Sequence, residues 1–353
     1  MSDLKAQLIQ RITTQGPLTI AEYMAECLLH PEFGYYATRD PLGATGDFTT
    51  APEISQMFGE MLGLSLAQAW MDQGAPKAFV LAEAGPGRGT LMADILRVTR
   101  AVPGFAEAAQ VHLIEASPTL RAKQLALLGD AVTWHDTIDT LPADLPLFFV
   151  ANEFFDALPI RQLQRDGTDW RERLVGLKDS ALTPGLGDAL DVPTLSHRIG
   201  DTQDGDLVEI CPALEPIATA LGQRIETNGG AALIVDYGDW RSLGDTLQAL
   251  KDHKFVDPFE APGTADLTAH VDFEAIATAT PSAHSRLTPQ GVFLERLGIT
   301  ARAQGLAQRM QGDKLDSHIA AHRRLTHPDE MGNLFKVLAL FPTGGTPPPG
   351  LET

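Results

Sequence analysis

Glu83 stands at the end of an apolar run, Phe79-Val80-Leu81-Ala82, and glycines follow at 85, 87 and 89 before Thr90-Leu91 open a helical pattern. A strand, a tight turn and a helix start together make a ligand site. Glycine removes the Cβ where a ligand approaches the backbone, and the first N–H groups of a helix lack intrahelical partners. A dinucleotide fingerprint reads G-x-G-x-x-G, with the pyrophosphate on the helix. Here the spacing is G-x-G-x-G with an acid before it, and Glu83 would sit badly beside a phosphate. Two further apolar runs also end in acids, Val111-His112-Leu113-Ile114-Glu115 and Ala131-Val132-Thr133-Trp134-His135-Asp136. Glu115 can accept from both hydroxyls of a ribose, and Asp136, next to His135, can accept from an adenine amino group. Taken singly, each acid also reads as a solvated strand end, and an isolated G-x-G-x-G as a turn in some other α/β domain.

A fourth run, Leu147-Phe148-Phe149-Val150, leads into Ala151-Asn152-Glu153-Phe154-Phe155-Asp156-Ala157-Leu158-Pro159. Asn152 and Glu153 are the first polar residues past the buried stretch, and Asp156 follows within a turn. In a doubly wound sheet the carboxyl edge is where substrate binds. These acids would equally well cap a helix beginning near Phe154, and the spacing leaves both readings open.

The elements that must position these groups alternate short apolar runs with helical patterns, the mark of a parallel sheet. The expected strands are Phe79–Glu83, Val111–Glu115, Val132–His135, Leu147–Ala151 and Ala232–Asp236. Upstream, Thr19-Ile20-Ala21-Glu22 matches a capping box for a helix to about Leu29, ended by His30-Pro31. Ile54, Met57, Phe58, Met61, Leu62, Leu66, Ala69 and Trp70 fall at three- and four-residue steps, which predicts one amphipathic helix. Ile160–Gln164 and Trp170–Val175 flank Asp166-Gly167 as a hairpin, and Leu182 to Asp204, rich in Pro, Gly and Asp, reads as loop. Pro212 to Ile225 reads as a helix, and Leu334–Leu340 as a final antiparallel strand. The division expected is a helical lobe over 1–75, a doubly wound domain over 76–343 with an insertion at 160–210 and a substrate-facing segment at 241–317, and a frayed tail over 344–353.

Lys+Arg 27 against Asp+Glu 46 gives a net charge of −19 over 353 residues. That acidity argues against general binding to nucleic acid or anionic membrane and leaves room for a cationic substrate. Cys27 and Cys211 are the two cysteines, too few for a disulfide scaffold or a cysteine zinc site. No apolar run approaches the roughly 18 residues of a membrane span. Met1 to Gln15 has helical spacing at Leu4, Leu8 and Ile12 but no signal-peptide core and no evident import segment, so a bacterial cytoplasmic location is expected, or the mitochondrial matrix if the chain is eukaryotic.

The E-x-G-x-G-x-G form resembles motif I of class I S-adenosylmethionine-dependent methyltransferases. Glu83 to Gly89, together with Gly46 to Glu60, Asn152 to Pro159, Asp236-Tyr237-Gly238 and Asp266 to Phe273, resembles the MidA family. The resemblance implies an α/β, Rossmann-like class I methyltransferase fold with a seven-stranded sheet, an N-terminal helical lobe and an insertion after the fourth strand. It also implies S-adenosylmethionine as cofactor, held by Asp47, Thr50, Glu83, Gly85, Gly87, Gly89, Glu115, His135, Asp136 and Asn152. A cofactor with a sulfonium and an α-ammonium but no phosphate suits the acid at Glu83. Mitochondrial members of the family symmetrically dimethylate an arginine on a core subunit of respiratory complex I, which implies a protein acceptor.

For such an acceptor, Glu153 would hold the guanidinium in a charge-assisted contact, with Asn152 and Asp156 as its catalytic neighbours. Asp266, His270 and Asp272 form a candidate substrate-facing group; their spacing matches no recognised metal set, so no metal is expected. Two other functions remain open on the sequence: an assembly factor that binds the cofactor without transferring its methyl group, and a small-molecule methyltransferase, which the long insertion disfavours.

Overall fold

The structure, a computed structural model, describes residues 3–38 and 49–353. The chain divides into two compact units. One holds residues 49–155, 215–238 and 273–353; the other holds residues 3–38, 156–214 and 239–272.

The first unit is built on a mixed sheet. Its strands are β1 (Phe79–Ala84), β2 (Ala109–Ile114), β3 (Val132–His135), β4 (Leu147–Asn152), β5 (Gly230–Asp239), β6 (Ala283–His284) and β7 (Phe335–Phe341). The order across the sheet is 3-2-1-4-5-7-6, with β1 to β5 parallel and β7 antiparallel to β5 and β6. A two-residue strand, Thr288–Pro289, also pairs with β7, so short pairings carry the sheet past the seven strands expected. Every residue of β1 and β4 is buried, which is why both read as continuous apolar runs rather than alternating ones. The strand order reverses between β1 and β4. Such a switch point opens a crevice at the carboxyl ends of the strands, and here those ends carry Glu83 and Asn152.

Helices α1 (Ala51–Ile54), α2 (Gln56–Asp72), α3 (Thr90–Thr99), α4 (Pro118–Leu128) and α5 (Leu214–Asn228) connect or flank these strands. The single helix expected from Ile54 onward is broken at Ser55, which is extended (φ −162°, ψ 137°) and accepts the Met57 N–H on its hydroxyl. Ser55 is therefore an N-cap, a role that hydrophobic spacing cannot reveal. Along α2, a Cβ on Gly59 would lie 2.6 Å from Asp94 Cβ, and one on Gly63 would lie 2.9 Å from Val98 Cγ1, so α2 and α3 meet backbone to side chain. The chain end is also tied down, against the fraying expected of it. Ser65 Oγ donates to the Pro349 carbonyl, the Arg286 N–H donates to the Glu352 carbonyl, and Leu351 is buried.

The second unit packs helices Asp3–Gln15 and Ile20–Leu29 with strands of the insertion around a core that includes Leu8, Tyr23, Met24, Val175 and Leu267. Thr19 and Glu22 form the capping box reciprocally, and His30 closes that helix. Strands Arg161–Asp166 and Asp169–Lys178 pair as a hairpin with Gly167 at φ 63°. Ala181–Leu190, expected as loop, is a strand paired with Asp169–Lys178. It pairs on one side only, and an edge strand tolerates the Pro184 and glycines that signal a loop. The expected lobe over 1–75 is thus split: its first part packs with the insertion, whereas α1 and α2 pack with the sheet.

Candidate active site

The turn after β1 has left-handed backbone at Gly85 (φ 62°), Gly87 (φ 54°) and Gly89 (φ 86°), a region that disfavours any side chain. Gly85 N–H donates to Ile114 O at 3.1 Å, extending the β1–β2 ladder by one rung, and Gly89 is the N-cap of α3. A Cβ on Gly85 would meet Phe154 Cδ2 at 3.0 Å, so the turn after β1 packs directly on the segment after β4. Glu83 is buried, and its Oε2 has no hydrogen-bond partner among the described residues. Burial pushes its pKa up to about 8; the Met92 amide opposes the shift and the Glu115 charge adds to it. A buried carboxylate of this kind costs several kcal/mol when ionised alone, and a cation beside it removes that cost.

Glu115, one residue past β2, accepts Ser117 N–H on Oε1 at 2.7 Å and Gln124 Nε2 on Oε2 at 3.3 Å. Burial raises its pKa despite these donors and the charge of Arg121. Gln124, fully buried on α4, also donates to Gly87 O at 2.7 Å and accepts Trp134 Nε1–H at 2.7 Å. One amide thus joins the glycine turn, the second acid and β3. Nothing local in the sequence marks Gln124 for this work.

His135 and Asp136, at the end of β3, contact other residues. The His135 ring lies between His112 Nδ1 and Thr140 Oγ1, each 2.8 Å from one of its nitrogens. Burial, then the neighbouring His135, lowers the His112 pKa to about 4. Asp136 is exposed and paired with Arg121 at 2.6 Å.

At the end of β4, Glu153 adopts φ 53°, which is rare for a residue with a side chain. Its N–H makes the last rung to Val235 O at 2.9 Å, and its Oε1 accepts Ala51 N–H at 3.1 Å and Asn152 Nδ2 at 2.9 Å. Asn152 Oδ1 is buried with no partner among the described residues. No helix begins near Phe154; residues 153–157 are bends and a turn. The fully buried Asp236 carboxylate holds that turn, its Oδ2 accepting Phe154 N–H (3.2 Å) and Phe155 N–H (3.0 Å) and its Oδ1 accepting Tyr237 N–H (3.0 Å). Hydrogen bonds to a charged group contribute about 1.5–3 kcal/mol each, against about 1–2 kcal/mol for a left-handed residue, so the carboxylate outweighs the strain.

Thr50 caps α1 with its backbone and makes no side-chain cap bond. Glu53 on α1 accepts Thr90 Oγ1–H, and its Oε2 lies 3.9 Å from Arg88 Nη1, which ties α1 to the start of α3. Asp47 lies outside the described residues. Asp156, Asp266, His270 and Asp272 belong to the second unit. There Asp266 accepts Tyr36 Oη–H at 2.8 Å; burial, then the charges of Asp266 and Asp156, hold that hydroxyl well above its ordinary pKa. The His270 N–H donates to Thr246 Oγ1, and Asp272 Oδ2 accepts Ser242 N–H. Both are hydrogen bonds that shape loops.

The donor set is therefore a glycine turn open to backbone approach, the buried Glu83 and the half-buried Glu115, both with raised pKa values, and an amide oxygen across the switch point that has no partner among the described residues. It fits a ligand with a cationic amino-acid end, a ribose and no phosphate. Fold and site together define a class I S-adenosylmethionine-dependent methyltransferase.

Residues 61–292 match the Methyltransf_28 model of S-adenosyl-L-methionine-dependent methyltransferases, and the chain belongs to that family, the MidA-like methyltransferases. It is 38% identical to the protein arginine methyltransferase NDUFAF7, mitochondrial, of Xenopus laevis, across 95% of this chain and 83% of that protein. The human protein of the same name is 37% identical, across 95% and 82%. A crystal structure of a COG1565 superfamily member from Burkholderia thailandensis, bound to S-adenosyl-homocysteine, superposes with a TM-score of 0.81 at 28% identity, covering 99% of this chain and 92% of that one. Among the described residues no helix is long and apolar enough to cross a membrane.

Proposed function

We propose that this methyltransferase acts on an arginine side chain of a protein partner, with Glu153 as the residue that receives the guanidinium. The observation that carries the reading is the strained, doubly anchored Glu153 at the end of β4. Strain persists where the surroundings over-determine it, and such positions gather at functional sites. The naming of the Xenopus and human relatives as protein arginine methyltransferases supports the acceptor class.

When bound, S-adenosylmethionine would supply an electrophilic methyl group, to be exchanged from sulfur to the acceptor nitrogen with S-adenosylhomocysteine as leaving group and the nitrogen's proton lost to solvent. The chain's own residues bind and aim. Glu83 would offset the cationic amino-acid end, Glu115 would accept from the ribose hydroxyls, and the glycines would let the backbone approach. Asn152 Nδ2 and Ala51 N–H fix Glu153 Oε1, which sets the plane of the carboxylate. A fixed carboxylate can take a guanidinium in a charge-assisted pair, hold one nitrogen toward the methyl group and draw positive charge to the other. A guanidinium has a pKa above about 12, so positioning rather than a strong base would supply most of the rate.

The finer reading is that the acceptor is a subunit of respiratory complex I. The test uses lysate proteins from cells lacking this gene, the purified enzyme and S-adenosylmethionine with an isotopically labelled methyl group. Labelled methylarginine in a complex I subunit after hydrolysis and mass spectrometry is the expected result. Label on another protein would keep the acceptor class and discard the subunit. Label on no protein, with cofactor binding intact, would leave an assembly factor or a small-molecule methyltransferase.

A further inference from the structure

We infer that Asp236, at the carboxyl end of β5, is a positioning residue for methyl transfer: it builds the backbone turn that presents Glu153. The inference rests on Glu153 receiving the acceptor. In an extended strand, successive N–H groups point to opposite sides. Here the consecutive amides of Phe154 and Phe155 converge on the single oxygen Oδ2 of Asp236. Glu153, immediately before them, is the residue with φ 53°, and its own N–H still belongs to the sheet through Val235 O. The ladder therefore ends at Glu153, and the chain turns there onto the Asp236 carboxylate.

Register places Asp236 where it must be for this. Val235 pairs with Asn152, so Asp236 stands beside the residue that turns. It is fully buried, and Oδ1 takes the Tyr237 N–H, which anchors the carboxylate to its own strand. Consecutive amides gathered on one anion form a concave backbone nest, normally a site for an external ligand. Here the protein fills the nest with its own side chain. The turn is thereby fixed before any substrate arrives, and Glu153 needs no reorganisation to receive it. Asp236 touches neither reactant in this account; it acts through Glu153.

The test compares Asp236→Asn, Glu153→Ala and the double variant. Three readouts are taken: S-adenosylhomocysteine affinity by calorimetry, amide hydrogen exchange of residues 153–157, and labelled-methyl transfer to the lysate proteins described above. Asp236→Asn is expected to keep that affinity within about threefold, to speed exchange at Phe154 and Phe155, and to lower kcat about 10–100-fold with KM for S-adenosylmethionine little changed. The double variant should lose no more than Glu153→Ala alone, because a residue acting through another adds nothing once that other is gone. Full transfer by Glu153→Ala would remove the reading of Glu153 itself. Loss of transfer in Glu153→Ala with normal kcat in Asp236→Asn, or additive losses in the double variant, would overturn the role of Asp236 alone. If Asp236→Asn does not bind S-adenosylhomocysteine, Asp236→Glu, which keeps the charge and shifts it by one methylene, is tested in its place. Failure of both to bind would make Asp236 a general support of the sheet and refute the inference.

Discussion

The Ala51 N–H donates to Glu153 Oε1 across a separation of 102 residues, joining the first residue of α1 to the left-handed residue at the end of β4. The bond couples the segment before α2 to the acid at the switch point. It also separates two consequences of changing Glu153, one for the backbone and one for the carboxylate.

Glu153→Gly and Glu153→Ala both delete the carboxylate, and they differ only in how well they tolerate φ 53°. Glycine is expected to be the more stable of the two by about 1 kcal/mol, the reverse of their order in a helix. Urea denaturation of both variants measures this; an alanine variant as stable as the glycine one would show that the position carries no strain. Transfer should be lost in both, and Glu153→Gln should fold normally yet lose transfer as well.

The proposed place of Glu83 beside the cofactor's cationic end predicts that affinity depends on pH. Burial holds the Glu83 pKa at about 8, above the ordinary 4.5, so the folded chain keeps a proton that the unfolded chain has released. Its contribution to stability is whole below about pH 4.5 and is lost as pH rises to about 8. A cationic ligand reverses the preference and expels the proton. Affinity for S-adenosylmethionine should rise with pH toward 8, and calorimetry at pH 7 in buffers of different ionisation enthalpy should record proton release. Glu83→Gln should abolish that release and weaken binding about 10–100-fold.

Gly87→Val puts a β-branched side chain at φ 54°, in the turn proposed to let the cofactor approach the backbone. Loss of measurable S-adenosylhomocysteine binding is expected, together with about 1–3 kcal/mol of destabilisation. Unchanged affinity by calorimetry would take the cofactor away from this turn.

Gln124→Leu tests the bridge between the glycine turn and Glu115. The variant leaves Gly87 O without this donor and the Trp134 indole N–H without this acceptor, at a cost of about 1–3 kcal/mol. Cofactor affinity should fall about tenfold, and Trp134 fluorescence should shift as its partner is lost. Normal affinity would confine Gln124 to a role in stability.

The strands and the glycine turn were legible in the sequence because they are local: a buried run, an acid and the turn residues sit within a dozen positions. The capping box at Thr19 and the hairpin at Gly167 were legible for the same reason. Positions defined by distant partners were not. Ala51 and Asp236 fall inside motifs that the resemblance singled out, but their hydrogen-bond partners, like those of Gln124, lie far along the chain and no residue type announces them. For His135 and Asp136 a strand end says where a side chain begins and not which way it turns; their contacts with His112 and Arg121 come from residues distant in the sequence. The strand Ala181–Leu190 was hidden by proline and glycine, which an edge position accepts.

Gly59 and Gly63 leave no slack between α2 and α3, since an added methyl on either would collide with Asp94 or Val98. The helix that begins at the glycine turn is therefore seated from behind, by α2. Anyone wishing to reposition α3, which starts at Gly89 of the glycine turn, would have to repack that seam first.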